Sequence, residues 1–178
     1  MESCPGAKFR EEGLKPSSCE TLNEEWVRKK VLAYILWNKE YLLEEIEEEV
    51  PFVLDTGQEV FHLKVSLVVR LKGRRVLMIK CGPGSILARE RAALAQARLL
   101  DEGYPIPLTA VSNGQEAVLL DTVTGETLAM GPDVFPDRNQ LLAWMEKFEF
   151  RPLPEKRLEM EKRVLAAFEG LGLAGECR

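Results

Sequence analysis

The apolar positions of this chain change period several times, and each change marks an element. From Thr21 the spacing is helical: Val27, Val31, Tyr34 and Ile35 share one stripe, while Arg28, Lys29 and Lys30 interrupt the other face. Thr21-x-x-Glu24 has the form of a capping box and predicts where that helix opens. An acidic run from Leu42 to Glu49 predicts a short helix or turn, and Val50 to Leu54 a strand ended by Asp55-Thr56-Gly57. Val60 to Leu71 alternates, Lys72-Gly73 supplies a hairpin turn, and Arg74 to Lys80 returns as the partner strand. The centre of that partner is apolar at successive positions, which predicts burial on both faces.

Helical period returns between Arg89 and Asp101, with Ala93, Ala97 and Leu100 on one face and Gly103 as a stop. Ile106 to Val111 reads as a strand closed by Ser112-Asn113-Gly114. Ala117 to Asp121 and Glu126 to Met130 form a hairpin around Thr124-Gly125. Asp137 caps a helix reaching about Phe148, and a last helix, Glu155 to Leu171, carries Met160, Val164, Phe168 and Leu171 as its stripe. Helix, three strands, helix, strand, small hairpin and two helices make a mixed α/β arrangement in one domain. Residues 1–20 are polar and aperiodic and read as a flexible tail, 21–130 as the core, and 131–178 as a helical extension packed on that core.

Composition narrows the class without naming a function. The 178 residues are 46% hydrophobic and 30% charged, as in soluble globular proteins. No apolar run approaches the roughly 20 residues that span a bilayer. The N-terminus lacks the apolar stretch of a signal peptide, so a cytoplasmic location is expected and no membrane partner. Cys4, Cys19, Cys81 and Cys177 contain no short-spaced pair, so no structural zinc site is expected. His62 is the single histidine; it rules out two-histidine mechanisms and reads as structural.

Charge changes the picture. The net charge is −5, yet residues 60–89 contain no acid while carrying Lys64, Arg70, Lys72, Arg74, Arg75, Lys80 and Arg89. Such a stretch suits contacts to the phosphates of DNA or another polyanion. The same bases would equally solvate strand edges or balance the acids of Glu44 to Glu49.

Several phrases within this order carry a resemblance. They are "NEEWVRKKVLAYIL" in the first helix, "HLKVSLVV" and "RRVLMIKCG" in the two central strands, and "ALAQARLLDEGYPIPLTAVSNGQEAVLLDTVTGE" from the second helix through the hairpin. Together, over about residues 21–130, the chain resembles the N-terminal nuclease domain of type I restriction enzyme R subunits, in the PD-(D/E)XK superfamily. "VSNG" followed by "LLDTVTGE" is the most specific part. The resemblance implies a restriction-endonuclease-like mixed central sheet flanked by helices, here with two extra C-terminal helices, in a prokaryotic protein.

The family's chemistry needs carboxylates, because a hard cation such as Mg²⁺ is held by oxygen ligands and then activates water at the phosphate. Transferred by position, the resemblance puts the aspartate on Ser66, the glutamate on Lys80 and the lysine on Gly82, with Glu25 and Gln96 at accessory positions. Each replacement removes a role, and Lys80 sets a positive charge where the cation would sit. A change of register does not repair this. No acid lies between Glu59 and Glu90, and no lysine has an acid two residues before it. The resemblance therefore implies a degenerate centre with no metal and no cofactor. The main expectation is a catalytically inactive nuclease-fold protein that binds nucleic acid through its basic segment. One alternative is a Mg²⁺-dependent nuclease with displaced ligands, drawn from Glu25, Asp55, Glu59 and Glu90. Another is an assembly module that meets a protein partner through its C-terminal helices, where Trp144, Met145, Phe148 and Phe150 either cover the sheet or face outward.

"CGPGS" before a helix also suggests a phosphate cradle. It lacks the Gly-Lys-Ser/Thr ending of a nucleotide loop, and Pro83 removes a backbone donor, so a bend leading into a helix is the expected reading.

Overall fold

The computed structural model describes residues 23–170. Its centre is a six-stranded sheet in the sequential order β1 (Ile46–Asp55), β2 (Val60–Leu71), β3 (Arg74–Cys81), β4 (Leu108–Ser112), β5 (Ala117–Asp121) and β6 (Thr127–Gly131). Every neighbouring pair is antiparallel except β3–β4, which is parallel, so the sheet is mixed. A parallel pair needs a crossover, and helix α2 (Leu87–Leu99) supplies it. Helices α1 (Glu24–Asn38) and α3 (Arg138–Met145) pack on one face, while α2 and α4 (Glu155–Gly170) lie on the other. The mixed α/β class expected from the sequence is the observed one, and the arrangement is consistent with a restriction-endonuclease-like fold.

Strand β3 is central, and Val76, Leu77, Met78 and Ile79 are all fully buried, as their unbroken apolarity predicted. Leu77 and Ile79 join the core beneath α1, while Met78 joins the core beneath α2. Ala93 and Ala97 face the sheet because their small side chains let the helix approach closely. The hairpin turn after Leu71 places Lys72 and Gly73 in the left-handed region, at φ +49° and +76°.

Several boundaries differ from the sequence reading. Thr21 lies outside the described residues, and the first helix is capped by Asn23, whose side chain accepts from the Trp26 N–H at 2.9 Å. The acidic run forms only a single 3₁₀ turn, Leu43–Glu45. From Ile46 onward the chain is already in β1, because Ile46, Glu47 and Glu48 pair with Val69, Val68 and Leu67. Helix α2 begins two residues early, and Ile106 is buried just ahead of β4 rather than within it. Asp137 caps α3 as expected, but the helix stops at Met145. On α4 the buried stripe is Glu161 and Leu165, not Met160 and Val164, and Met160 is exposed. That rotation follows from the arginines of α2, which draw Glu161 inward. Leu171 lies outside the described residues.

Candidate functional site at the end of the parallel strands

Alternation along β2 slips at one place. Leu67, Val69 and Leu71 pack beneath α1, yet both Val65 and Val68 pack beneath α2. Ser66 sits at the slip and turns its hydroxyl towards α1. There the Ser66 Oγ donates to Glu24 Oε1 at 3.1 Å and accepts from the Cys81 N–H at 3.0 Å. This serine therefore pins β2 to the end of β3 and to the first turn of α1. Burial raises the Cys81 thiol to about 12, which leaves it a neutral, inert side chain at neutral pH.

Lys80, beside Cys81, rises from the opposite face. It pairs in register with Val111, and Val111 and Met78 both belong to the core beneath α2. Lys80 is only 7% exposed. Among the described residues no hydrogen bond or ion pair reaches its ammonium.

Gly82 has no side chain, and the space beside it is filled. A Cβ at Gly82 would lie 2.9 Å from the guanidinium carbon of Arg89. Arg89 reaches back from α2 and donates to the Gly82 carbonyl at 2.6 Å and to the Pro83 carbonyl. The Asn113 side-chain amide adds a bond to the Gly84 carbonyl at 3.2 Å, tying the β4–β5 turn to the same loop. The Gly-Pro-Gly stretch is thus a braced bend. It leads into α2, whose N-cap, Ile86, has no side-chain hydrogen bond.

The other residues singled out by the sequence scatter. Glu25 is exposed and paired with Lys29 at 2.6 Å, so its neighbour Glu24 is the α1 carboxylate that meets Ser66. Sequence reasoning missed Glu24 as a site residue; only the helix's rotation about its axis separates the two. Gln96 is fully buried on α2, with its side-chain oxygen lacking a partner among the described residues. Glu90 lies on the same helix, one buried carboxylate oxygen likewise unpartnered, and burial raises its carboxyl above the ordinary range. Asp55 and Glu59 close the β1–β2 turn, where Asp55 accepts from the Gly57 N–H at 2.8 Å and the Glu59 carbonyl accepts from Thr56. By register that turn lies beyond the end of β3, about five residues or some 17 Å along β2 from Val65. Among the described residues no group of three His, Cys, Asp or Glu side chains could hold a metal ion. Glu25, Asp55, Glu59 and Glu90, the ligands of the displaced-ligand alternative, form no such group.

The basic segment divides in two. Arg70, Lys72, Arg74 and Arg75 gather at the β2–β3 turn, while Lys80 and Arg89 lie at the other end of β3, about 20 Å away at ~3.3 Å per residue. Lys64 stands on β2 towards that second end. Much of the charge is also met from β1. Arg70 and Arg75 both reach Glu47 at 2.6 Å, Arg75 adds Asp101 at 2.9 Å, and Lys64 faces Glu49 at 3.5 Å. Arg74 stacks over the Phe150 ring at 4.4 Å. Trp144, Met145, Phe148 and Phe150 are partly buried against the core beneath α1, so they cover the sheet. His62 lies exposed on β2.

A six-stranded mixed sheet, helices on both faces and polar groups gathered where its parallel strands end make a mixed α/β domain consistent with a restriction-endonuclease-like fold. The chain belongs to the family of type I restriction enzyme R protein N termini (HSDR_N), whose family model matches residues 23–136, more than half of its length. Helix α4 and all of α3 lie beyond the matched residues. Comparison with curated proteins returned no match. Comparison with solved structures returned none either. No described helix is long and apolar enough to cross a membrane.

Proposed function

We propose that this domain is a non-cleaving member of its family, one that binds nucleic acid through phosphate contacts without hydrolysing it. The observation that supports this reading is Lys80, a mostly buried lysine with no described counter-ion, at the position to which the resemblance transfers the metal-binding glutamate. An ammonium there repels a divalent cation, and Ser66 and Gly82 at the companion positions add no carboxylate. Ser66 already spends its hydroxyl on Glu24 and Cys81. In this reading the positive charge that a metal would present to a phosphate comes from the protein itself, and the activated water is lost. Helix α3 adds Leu141 to the core beneath α1, and α4 packs mainly on α2 and meets the sheet at β1.

Plasmid nicking in Mg²⁺ or Mn²⁺ tests the first half. Supercoiled DNA is expected to persist at the rate of the metal-only control. Metal-dependent nicking that disappears in Glu90→Gln or Glu24→Gln would overturn it.

A further inference from the structure

Three large apolar side chains stand exposed at one end of the sheet. Trp37 is 76% exposed, Leu43 65% and Leu42 47%. Helix α1 starts beside Ser66 and leads into the start of β1, so its last turn, with Trp37, lies towards the end where β2 turns into β3. Ile46 pairs with Val69, and the 3₁₀ turn Leu43–Glu45 just before it packs against β2 beside Arg70 to Lys72. Exposed apolar side chains gathered in one place mark a surface that meets a partner.

The segment that displays the leucines is held in place from within. Tyr41 is buried and donates its hydroxyl to the Pro136 carbonyl at 2.9 Å. The Arg138 guanidinium bonds both Glu45 carboxylate oxygens, and the Arg138 backbone N–H donates to the Lys39 carbonyl at 2.9 Å. Lys39 is itself paired with Asp133 at 2.7 Å. Leu42 and Leu43 are therefore presented by a pre-organised turn, which lowers the ordering cost of association. Charges of both signs surround them. Glu40, Glu44, Lys72 and Arg74 are all exposed, and none of the four makes a described ion pair. Arg70, by contrast, is already paired with Glu47 at 2.6 Å. In sheet order Glu44 stands on the β1 side of this end, and Lys72 and Arg74 stand on the β3 side.

We propose that this end of the sheet is a dimer interface, and that its occupant is a second copy of the chain related by a twofold axis. Such a contact requires a patch that is complementary to itself. A half turn brings the Glu44 side of one copy onto the Lys72 and Arg74 side of the other, so unpaired acids meet unpaired bases at two places. Trp37, Leu42 and Leu43 lose water between them, and tryptophan is an anchor on which interfaces commonly depend. One tryptophan and two leucines per copy inside a short charged rim make a contact at the small end of specific interfaces, so the dimer depends on concentration. The proposal goes beyond the non-cleaving reading, since it needs no nucleic acid and lies at the opposite end of the strands from Lys80.

The test is sedimentation velocity of the full chain over a concentration series without nucleic acid, using wild type, Glu44→Lys, Lys72→Glu, the two reversed chains mixed, and Trp37→Ser. Wild type is expected to pass from monomer to dimer as concentration rises. Each reversal sets like charges against each other across the twofold axis and is expected to leave the protein monomeric. Mixing the two reversed chains restores opposite charges at both contacts, and a heterodimer is expected. Trp37→Ser is expected to be monomeric with an unchanged melting temperature, because the ring is exposed in the single chain. A wild type that stays monomeric throughout would overturn the interface, as would a dimer that survives both reversals or a mixture that stays monomeric. Loss of the dimer in Trp37→Ser that comes with a fall in melting temperature would count against it too. Association that appears only after duplex DNA is added would overturn it and assign the surface to nucleic acid. Plasmid nicking is read separately, so failure of the dimer leaves the non-cleaving reading standing.

Discussion

Glu161 on α4 and Arg98 on α2 meet at 2.8 Å, with side chains only 4% and 5% exposed. Arg91 adds a bond to the same carboxylate at 2.6 Å, and Arg98 also donates to the Thr122 carbonyl at 2.7 Å. One buried carboxylate therefore joins a helix outside the family match to the crossover helix and the β5–β6 turn. Burial lowers the Arg98 pKa against the support that Glu161 gives it.

Removing the acid alone strands that guanidinium. Glu161→Ala is expected to cost about 3 kcal/mol, the usual penalty for orphaning one partner of a buried pair. Exchanging both partners, Arg98→Met with Glu161→Met, is expected to restore much of the loss. Urea denaturation measures both, and hydrogen exchange should show the α4 amides opening first in the single variant. Equal stability of the two variants would remove the ion pair as the fastening of α4.

Glu90 gives the opposite sign of pH dependence to most carboxylates. Burial raises its folded pKa, so its ionisation is penalised only in the folded state. The penalty is absent below the unfolded pKa and grows as pH rises through the folded one. Glu90→Gln is therefore expected to raise stability at neutral pH, because the amide carries no charge to desolvate, and to change little below the unfolded pKa. Thermal unfolding across pH decides it, and a gain that persists in acid contradicts the assignment.

Glu45 behaves conventionally. Burial would raise it, but the Arg138 guanidinium, bonded to both carboxylate oxygens at 2.7–2.9 Å, holds it below the ordinary range. A depressed carboxyl contributes stability above its unfolded pKa and loses it as pH falls through the folded one. Arg138→Gln is expected to lower stability at neutral pH and to flatten the acid limb of the stability curve. An unchanged acid limb would show that this pair carries none of it.

Gly82 and Arg89 are expected to be energetically coupled. The φ of Gly82 lies outside the left-handed region, so the obstacle to a side chain is the guanidinium at 2.9 Å. Gly82→Ala should displace Arg89 from the Gly82 and Pro83 carbonyls and cost about 1 kcal/mol, a lost hydrogen bond or two. In an Arg89→Ala background the same change should be nearly neutral. A double-mutant cycle by chemical denaturation measures the coupling; strictly additive effects would contradict the contact.

Much of the fold was legible because period follows directly from local geometry. The helix at Val27, Val31 and Ile35, the buried centre of β3, the Lys72-Gly73 turn and the Asp137 cap all depend on neighbours within a few residues, and all stand as read. Errors arose where a distant partner decided. Glu47 and Glu48 look like a polar turn, yet pairing with β2 makes them strand. Met160 looks like the inner stripe of α4, but two arginines on α2 turn Glu161 inward in its place.

The candidate site divides the same way. Sequence alone determined that residues 60–89 carry no acid and that Lys80 ends an apolar strand, because composition and order need no third dimension. Only the tertiary structure decided which carboxylate meets Ser66, since a turn of α1 by one residue exchanges Glu25 for Glu24. It alone separated the bases into two ends of one hairpin, set Glu47 against Arg70 and Arg75, and left Lys80 without a described anion. Charge is written along the chain, but its neutralisation depends on distances between elements that the chain brings together only by folding.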